Sequence, residues 1–325
     1  MKKLICFLLC AVLALSIFAG CAKNKEQVVI YTCATDYRIA DMTEQLQQAF
    51  PDYEIVIEYQ STSKLAAKLL AEGVNTDCDI VHDLSYLNLD SLVQANILAD
   101  LSSYDTSVYT DDVVSSQYYL PELRTGGAVI VNTEVLDKHN LEKPTSYEDL
   151  LKPEYKGLIS MPDPKSSGTG YMFLKALVNA WGEEKAFEYF GQLSENILQF
   201  TSSGSGPVNA LVQQEVAIGL GMITNAAVQI TDGAPLEVLI FEEGAPHSAY
   251  GQSVIRGKEQ KEAVKAVFDY LINTYNYRSC ELYAPEKIYK DKDFKGENFP
   301  SNIKYADMNG DTLDEKSRLL DKWTN

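Results

Sequence analysis

Apolar positions along the chain alternate between two spacings, and this alternation predicts an α/β fold. Residues 28–31 form a short β-branched and aromatic run typical of a buried strand, and residues 54–59 form a second one. Between these runs, four apolar residues recur at the spacing of one helix face: Ile39, Met42, Leu46 and Phe50. The order strand, helix, strand predicts a βαβ unit.

The same alternation continues downstream. Further strands are predicted at 78–82, 127–131, 217–222 and 236–241, and helices at 63–72, 208–214 and 259–275. Strands that alternate with helices favour mostly parallel sheets with helices on both faces. No apolar run after residue 20 approaches the ~18 residues of a membrane-spanning helix.

The first 21 residues have the composition of an export signal. Two lysines precede a short apolar run, and small residues follow it up to Cys21. A run this short predicts a signal peptide at 1–20 that is removed, rather than a spanning helix. The junction resembles a bacterial lipobox, which implies that Cys21 becomes the lipidated first residue of a polar tether at 21–27. An unlipidated secretory signal is the alternative.

Length and charge narrow the class of protein. Without residues 1–20, about 305 of the 325 residues are left, which is enough for two lobes. The 28 basic and 46 acidic residues give a net charge of -18, and a surface this acidic repels nucleic acid and anionic lipid headgroups. Beyond Cys21 the cysteines are Cys33, Cys78 and Cys280, which cannot all pair and indicate no disulfide framework.

A segment rich in glycine and hydroxyl groups precedes a predicted helix. It spans 161–171 and runs directly into the apolar positions Phe173, Leu174 and Leu177. The start of a helix presents unpaired amides with partial positive charge, and glycine lets the backbone approach a ligand. A second hydroxyl-rich segment, 202–207, precedes the helix at 208–214. Each segment alone is compatible with a capped turn, whereas the two together favour an anion-binding site.

The order of these segments resembles the extracellular solute-binding lipoproteins of bacterial ABC importers, in the group that includes ferric-ion, phosphonate and sugar-phosphate binders. The resemblance is carried by residues 28–31, 78–81, 126–132, 153–157, 166–171, 219–222 and 254–257. It implies an α/β, two-lobed periplasmic-binding-protein (type II) architecture. Each lobe is expected to be a mostly parallel sheet flanked by helices, with the ligand cleft between the lobes. We expect lobe 1 at 28–120 plus about 245–285, and lobe 2 at about 121–244 plus 286–325.

The candidate ligand-binding residues lie in loops after strands, where ligands of open α/β sheets bind. The resemblance implies that Ser167, Gly168 and Thr169 form an anion-binding turn and that Ser205 reaches the same ligand from a second loop. The predicted set is Thr35, Ser61, Ser63, Asp83, Ser85, Ser166, Ser167, Gly168, Thr169, Ser205, Thr224 and Asn225. Helix capping is the ordinary role of any one of these hydroxyl residues.

Iron is the alternative ligand. Iron-binding relatives carry adjacent tyrosines where this chain has Ala226 and Ala227, and methyl groups offer no oxygen ligand to a ferric ion. The leading prediction is therefore a small oxyanionic solute, such as a phosphonate or a sugar phosphate.

No sequence motif indicates catalysis. The three histidines, His82, His139 and His247, are far apart and form no zinc-binding helical pair. We predict a monomeric, non-enzymatic binding protein without a cofactor, a metal site of its own or a nucleic-acid partner. It is expected outside the cytoplasm, anchored to the cell membrane by lipid, and delivering its solute to ABC permease subunits. A sensory lipoprotein coupled to a membrane histidine kinase is the alternative from another class.

Overall fold

The computed structural model describes residues 25–324. Its first half begins with the expected βαβ unit and ends in a long strand. The elements are β1 (Glu26–Thr32), α1 (Asp36–Ala49), β2 (Tyr53–Tyr59), α2 (Thr62–Glu72), β3 (Ile80–Ser85), α3 (Tyr86–Gln94) and β4 (Leu120–Asn132).

The second half continues with α4 (Thr133–Lys138), β5 (Ile159–Pro162), α5 (Gly168–Trp181), α6 (Glu183–Leu193), β6 (Ile197–Thr201), α7 (Gly206–Val212), β7 (Ile218–Met222) and α8 (Ile223–Thr231). It ends with β8 (Leu236–Leu239), β9 (His247–Val254), α9 (Glu262–Tyr270), α10 (Asn276–Leu282) and α11 (Leu313–Lys322). A π-helical turn, Leu271–Tyr275, joins α9 to α10.

The strands follow the order β2-β1-β3-β9-β4-β7-β5-β6, and β8 pairs with β4. Strand β4 crosses between the lobes, because residues 120–126 pair with β9 whereas residues 127–131 pair with β7. The outer strands are parallel, as expected, whereas all pairs made by β4 and β9 are antiparallel. The sheets are therefore mixed, since the crossing strands run against their neighbours.

Each lobe has a core on both faces of its sheet. In β1, Val28 and Ile30 pack with α9 on one face, whereas Val29 and Tyr31 pack with α2 on the other. Burial on both faces explains why this strand reads as a continuous apolar run. The second lobe repeats the arrangement, with α5 on one face of β4 and α7 on the other.

Several bounds differ from the sequence prediction. The strand predicted at 78–82 is β3 and extends to Ser85, because all six of its residues are buried and it also pairs with β9. The strand predicted at 127–131 is only the second half of β4. The helix predicted at 259–275 continues through the π-helical turn into α10. Ile288 and Tyr289, in a segment expected in lobe 2, pack against Tyr109 and Cys280.

Two expectations from the sequence concern disulfide bonds and membrane-spanning helices. Cys33, Cys78 and Cys280 are free cysteines. Within residues 25–324, no helix has the length and hydropathy to span a bilayer. The expected signal peptide, Cys21 and the first part of the tether lie outside the described residues.

Candidate functional site

A cavity of about 200 Å³ lies between the lobes. Its walls come from the ends of β1, β2 and β3 on one side, and from the starts of α5 and α8 and the 202–205 loop on the other. Crossing segments close it through Leu123, Thr125, Tyr250, Tyr283 and Ala284. The carboxyl ends of the outer parallel strands therefore open onto this cavity, as ligand sites of α/β sheets do.

Seven of the predicted site residues line this cavity. Thr35, Ser61 and Asp83 lie on the wall of the first lobe, and Ser167, Thr169, Ser205 and Thr224 on the wall of the second. The structure thus brings them together, and their contact with a ligand stays a prediction.

The other five predicted residues do not line the cavity. Ser85 and Ser166 make local hydrogen bonds, to Asn88 and to the Asp163 carbonyl respectively. Gly168 lies behind the Tyr250 hydroxyl, which would be 2.7 Å from a Cβ at this position. Ser63 and Asn225 belong to the first turns of α2 and α8. Ser63 and Asn225 lie off the wall because the first residues of a helix point in different directions around its axis.

Three helices of more than ten residues begin at the cavity. These are α1, α2 and α5, with the N-cap residues Thr35, Ser61 and Ser167. Ser167 caps its helix, since its hydroxyl accepts from the Gly170 amide at 3.4 Å. The side chains of Thr35 and Ser61 make no capping hydrogen bond, so these two residues do not have the ordinary capping role. First-turn amides have no partner within their helix and carry partial positive charge.

Unpartnered hydroxyl groups surround the same space. The oxygens of Thr35, Tyr37, Ser61 and Thr125 are buried and have no hydrogen-bond partner in the described part of the chain. All four residues line the cavity. A buried polar group without a partner costs about 1–3 kcal/mol, so this cavity is suited to a polar ligand that satisfies these hydroxyls.

A buried charge cluster lies beside the cavity in the first lobe. Arg38 donates to Asp83 at 2.8 Å and to Glu122 at 2.5 Å, and the Asp83 amide donates to Glu122 at 2.6 Å. His82 lies 3.3 Å from Glu122. One cation thus faces two carboxylates, and of these four residues only Arg38 and Asp83 line the cavity.

Burial and the neighbouring charges shift the pKa values of the residues in this cluster. Burial raises the pKa of Asp83 to about 6, although Arg38 acts in the opposite direction. Burial also raises the pKa of Glu122. Burial, together with the Arg38 cation, lowers the pKa of His82 to about 3, which keeps its imidazole neutral at ordinary pH.

Sequence reasoning missed Arg38 and the aromatic wall. Arg38 lies four residues before Met42 on the buried face of α1, and a charge on an apolar helix face was the available signal. Tyr37, Tyr59, Tyr250 and Tyr283 also line the cavity. Burial raises the pKa of all four tyrosines, so they are neutral phenols that can donate hydrogen bonds.

A model of bacterial extracellular solute-binding proteins matches residues 87–285. The chain belongs to this family. An uncharacterised protein of Haemophilus influenzae is 30% identical to this solute-binding protein over 280 residues, which cover 82% of this chain and 78% of that one.

Two further relatives have named ligands. The spermidine/putrescine-binding periplasmic protein of Salmonella typhimurium is 25% identical over 286 residues, which are 84% of this chain and 80% of that protein. The periplasmic binding protein AfuA from Actinobacillus pleuropneumoniae, solved with fructose-6-phosphate, superposes with a TM-score of 0.80 at 25% identity. The superposition covers 92% of this chain and 98% of AfuA. These similarities support the type II periplasmic-binding-protein fold and the class of ABC-importer binding proteins.

Proposed function

We propose that this solute-binding protein captures a small solute with an oxyanionic group, such as a phosphate ester or a phosphonate, and presents it to an ABC permease. The observation that carries the proposal is that a helix from each lobe begins at the same cavity, since the N-cap residues Ser61 of α2 and Ser167 of α5 both line it. A Cβ at Gly168, the first residue of α5, would lie 3.4 Å from Thr62, the first residue of α2.

The amino-terminal ends of α2 and α5 carry like partial charges. Each is equivalent to roughly half a positive charge, so two such ends at one cavity repel one another. Thr62 and Thr169 both line the cavity, and their amides make no hydrogen bond within residues 25–324. An oxyanion between the two helices would accept from these amides and remove the repulsion. It would also hold the two lobes together, which is how a ligand favours the closed state.

The Ser61 hydroxyl gives a direct test. Ser61 is only 7% exposed and lines the cavity, and its hydroxyl has no hydrogen-bond partner among the described residues. Ser61→Ala removes this donor without breaking a protein hydrogen bond, so stability should hold. Affinity for an oxyanionic solute should fall about tenfold or more, since a hydrogen bond to a charged group contributes about 1.5–3 kcal/mol.

Ser63→Ala is the matched control, because Ser63 lies in the same helix turn but does not line the cavity. Isothermal titration of both variants against phosphate esters, a phosphonate, putrescine, thiamine and a ferric salt distinguishes the candidate ligands. Selective binding of putrescine or of the ferric salt would overturn the oxyanion assignment.

We also propose that Cys21 is lipidated and tethers the protein to the cell membrane. The proposal rests on the short apolar run and the small residues before Cys21. In a bacterial host, metabolic labelling with palmitate should mark the wild type and leave Cys21→Ala unlabelled. A labelled Cys21→Ala variant would refute this anchor.

A further inference from the structure

Asp83 has an unusual position at the edge of the cavity. Its backbone φ is +54°, in the left-handed region that non-glycine residues seldom occupy. The pairing of β3 with β9 shifts register between Val81 and Leu84, on either side of it. The Asp83 amide is held by Glu122 at 2.6 Å. A locally irregular backbone thus fixes the direction of this carboxylate.

The two oxygens of the Asp83 carboxylate have different surroundings. Oδ2 accepts from Arg38 Nη1 at 2.8 Å. Oδ1 accepts no hydrogen bond from any residue between 25 and 324, although Asp83 lines the cavity and is only 6% exposed. An ionised carboxylate can only accept, so a group that lies against Oδ1 must donate.

We propose, on the basis of the proposed function above, that Asp83 determines specificity by accepting a hydrogen bond from a hydroxyl of the solute. The solute would then be a hydroxylated organic oxyanion, with its anionic group between α2 and α5 and its hydroxyl at Asp83. Inorganic oxyanions and unhydroxylated phosphate esters supply no such donor and bind less tightly.

A neutral hydroxyl is the donor expected at Oδ1 when the anionic group of the solute lies between α2 and α5. A hydroxyl donates without adding a charge to the cluster of Arg38, Asp83 and Glu122. The unpartnered hydroxyls of Tyr37 and Thr125 on the cavity wall also match a ligand with several hydroxyls, since each can donate or accept.

Isothermal titration with glycerol 3-phosphate and propyl phosphate tests this inference, because the two esters differ only in two hydroxyl groups. The wild type should bind glycerol 3-phosphate about tenfold or more tightly, as expected for hydrogen bonds to a charged group. In Asp83→Asn the side-chain oxygen must turn to Arg38 and the amide nitrogen to the cavity, so a solute hydroxyl loses its charged acceptor and this preference should weaken by about fivefold or more. Propyl phosphate should bind the variant with unchanged or higher affinity.

Asp137→Asn is the charge-matched control, because Asp137 is exposed in α4 and does not line the cavity. It should keep the preference for glycerol 3-phosphate. Equal wild-type affinity for the two esters would overturn the inference even if Asp83→Asn failed to fold. An equal loss of both esters in Asp83→Asn would also overturn it and would leave the proposed function standing. Binding of neither ester to the wild type would overturn this inference, whereas the proposed function is decided by the wider panel of ligands given above.

Discussion

Gly170 provides the sharpest mechanical test of the helix start at the cavity. In the first turn of α5, an alanine Cβ at this position would lie 2.8 Å from Asp163 C and from Pro164 N, and closer still to the Pro162 carbonyl oxygen. Ordinary contacts begin at 3.4 Å, so the backbone must separate by about 0.6 Å or more. No flexible side chain can relieve the overlap, because all three atoms belong to the backbone.

Gly170→Ala should therefore lower the free energy of unfolding by about 1–3 kcal/mol, the usual cost of overpacking. The melting temperature in differential scanning calorimetry should fall by about 2 °C for each kcal/mol. Affinity for the solute should fall as well, since the displaced turn carries the free amides of Gly168 and Thr169.

Gly191→Ala is the matched control in the next helix. Gly191 lies within α6, and no atom lies within 4 Å of its missing Cβ. Alanine there should stabilise the protein by about 0.5–1 kcal/mol, because it restricts the unfolded chain and favours the helix. If Gly170→Ala had the same melting temperature and solute affinity as the wild type, the argument for a tightly fixed α5 start would be refuted.

Three further predictions concern the buried cluster and the second loop. Because the unfolded chain takes up a proton at His82 below about pH 6.5 and the folded protein does so only near pH 3, acid should destabilise the wild type. Between pH 8 and pH 5, His82→Gln should lose about 2 kcal/mol less than the wild type in urea unfolding, and an equal loss would refute a neutral His82. Arg38→Met leaves Asp83 buried without its cation and should cost about 3–5 kcal/mol at pH 8, whereas a cost below about 1 kcal/mol would contradict the pairing. Gly204→Ala places a Cβ 2.7 Å from the Thr169 Cβ, so solute affinity should fall about tenfold in calorimetry, and unchanged affinity would show that this contact is unimportant.

The fold was predictable because strands buried on both faces leave an uninterrupted apolar signature, as in β1. Part of the site was predictable for a related reason. Thr35 and Ser61 follow strands whose carboxyl ends meet at the cavity, so their position in the sequence placed them correctly. Ser85 was expected in a loop, whereas it is the last residue of β3 and its hydroxyl accepts from Asn88.

The remaining wall depends on contacts between distant segments. Tyr250 reaches the cavity only through the pairing of β9 with β3 and β4, and Tyr283 only after the π-helical turn and α10. No local sequence pattern indicates that Tyr250 or Tyr283 lies at the cavity. The role of Arg38 likewise depends on Glu122, which is 84 residues away.

The most direct measurement is a crystal structure of the protein with a bound hydroxylated phosphate ester. The account predicts phosphate oxygens about 3 Å from backbone amides at the starts of both α2 and α5, with both lobes in contact with the ester. An ester bound elsewhere in the cavity, with these amides facing water, would contradict it.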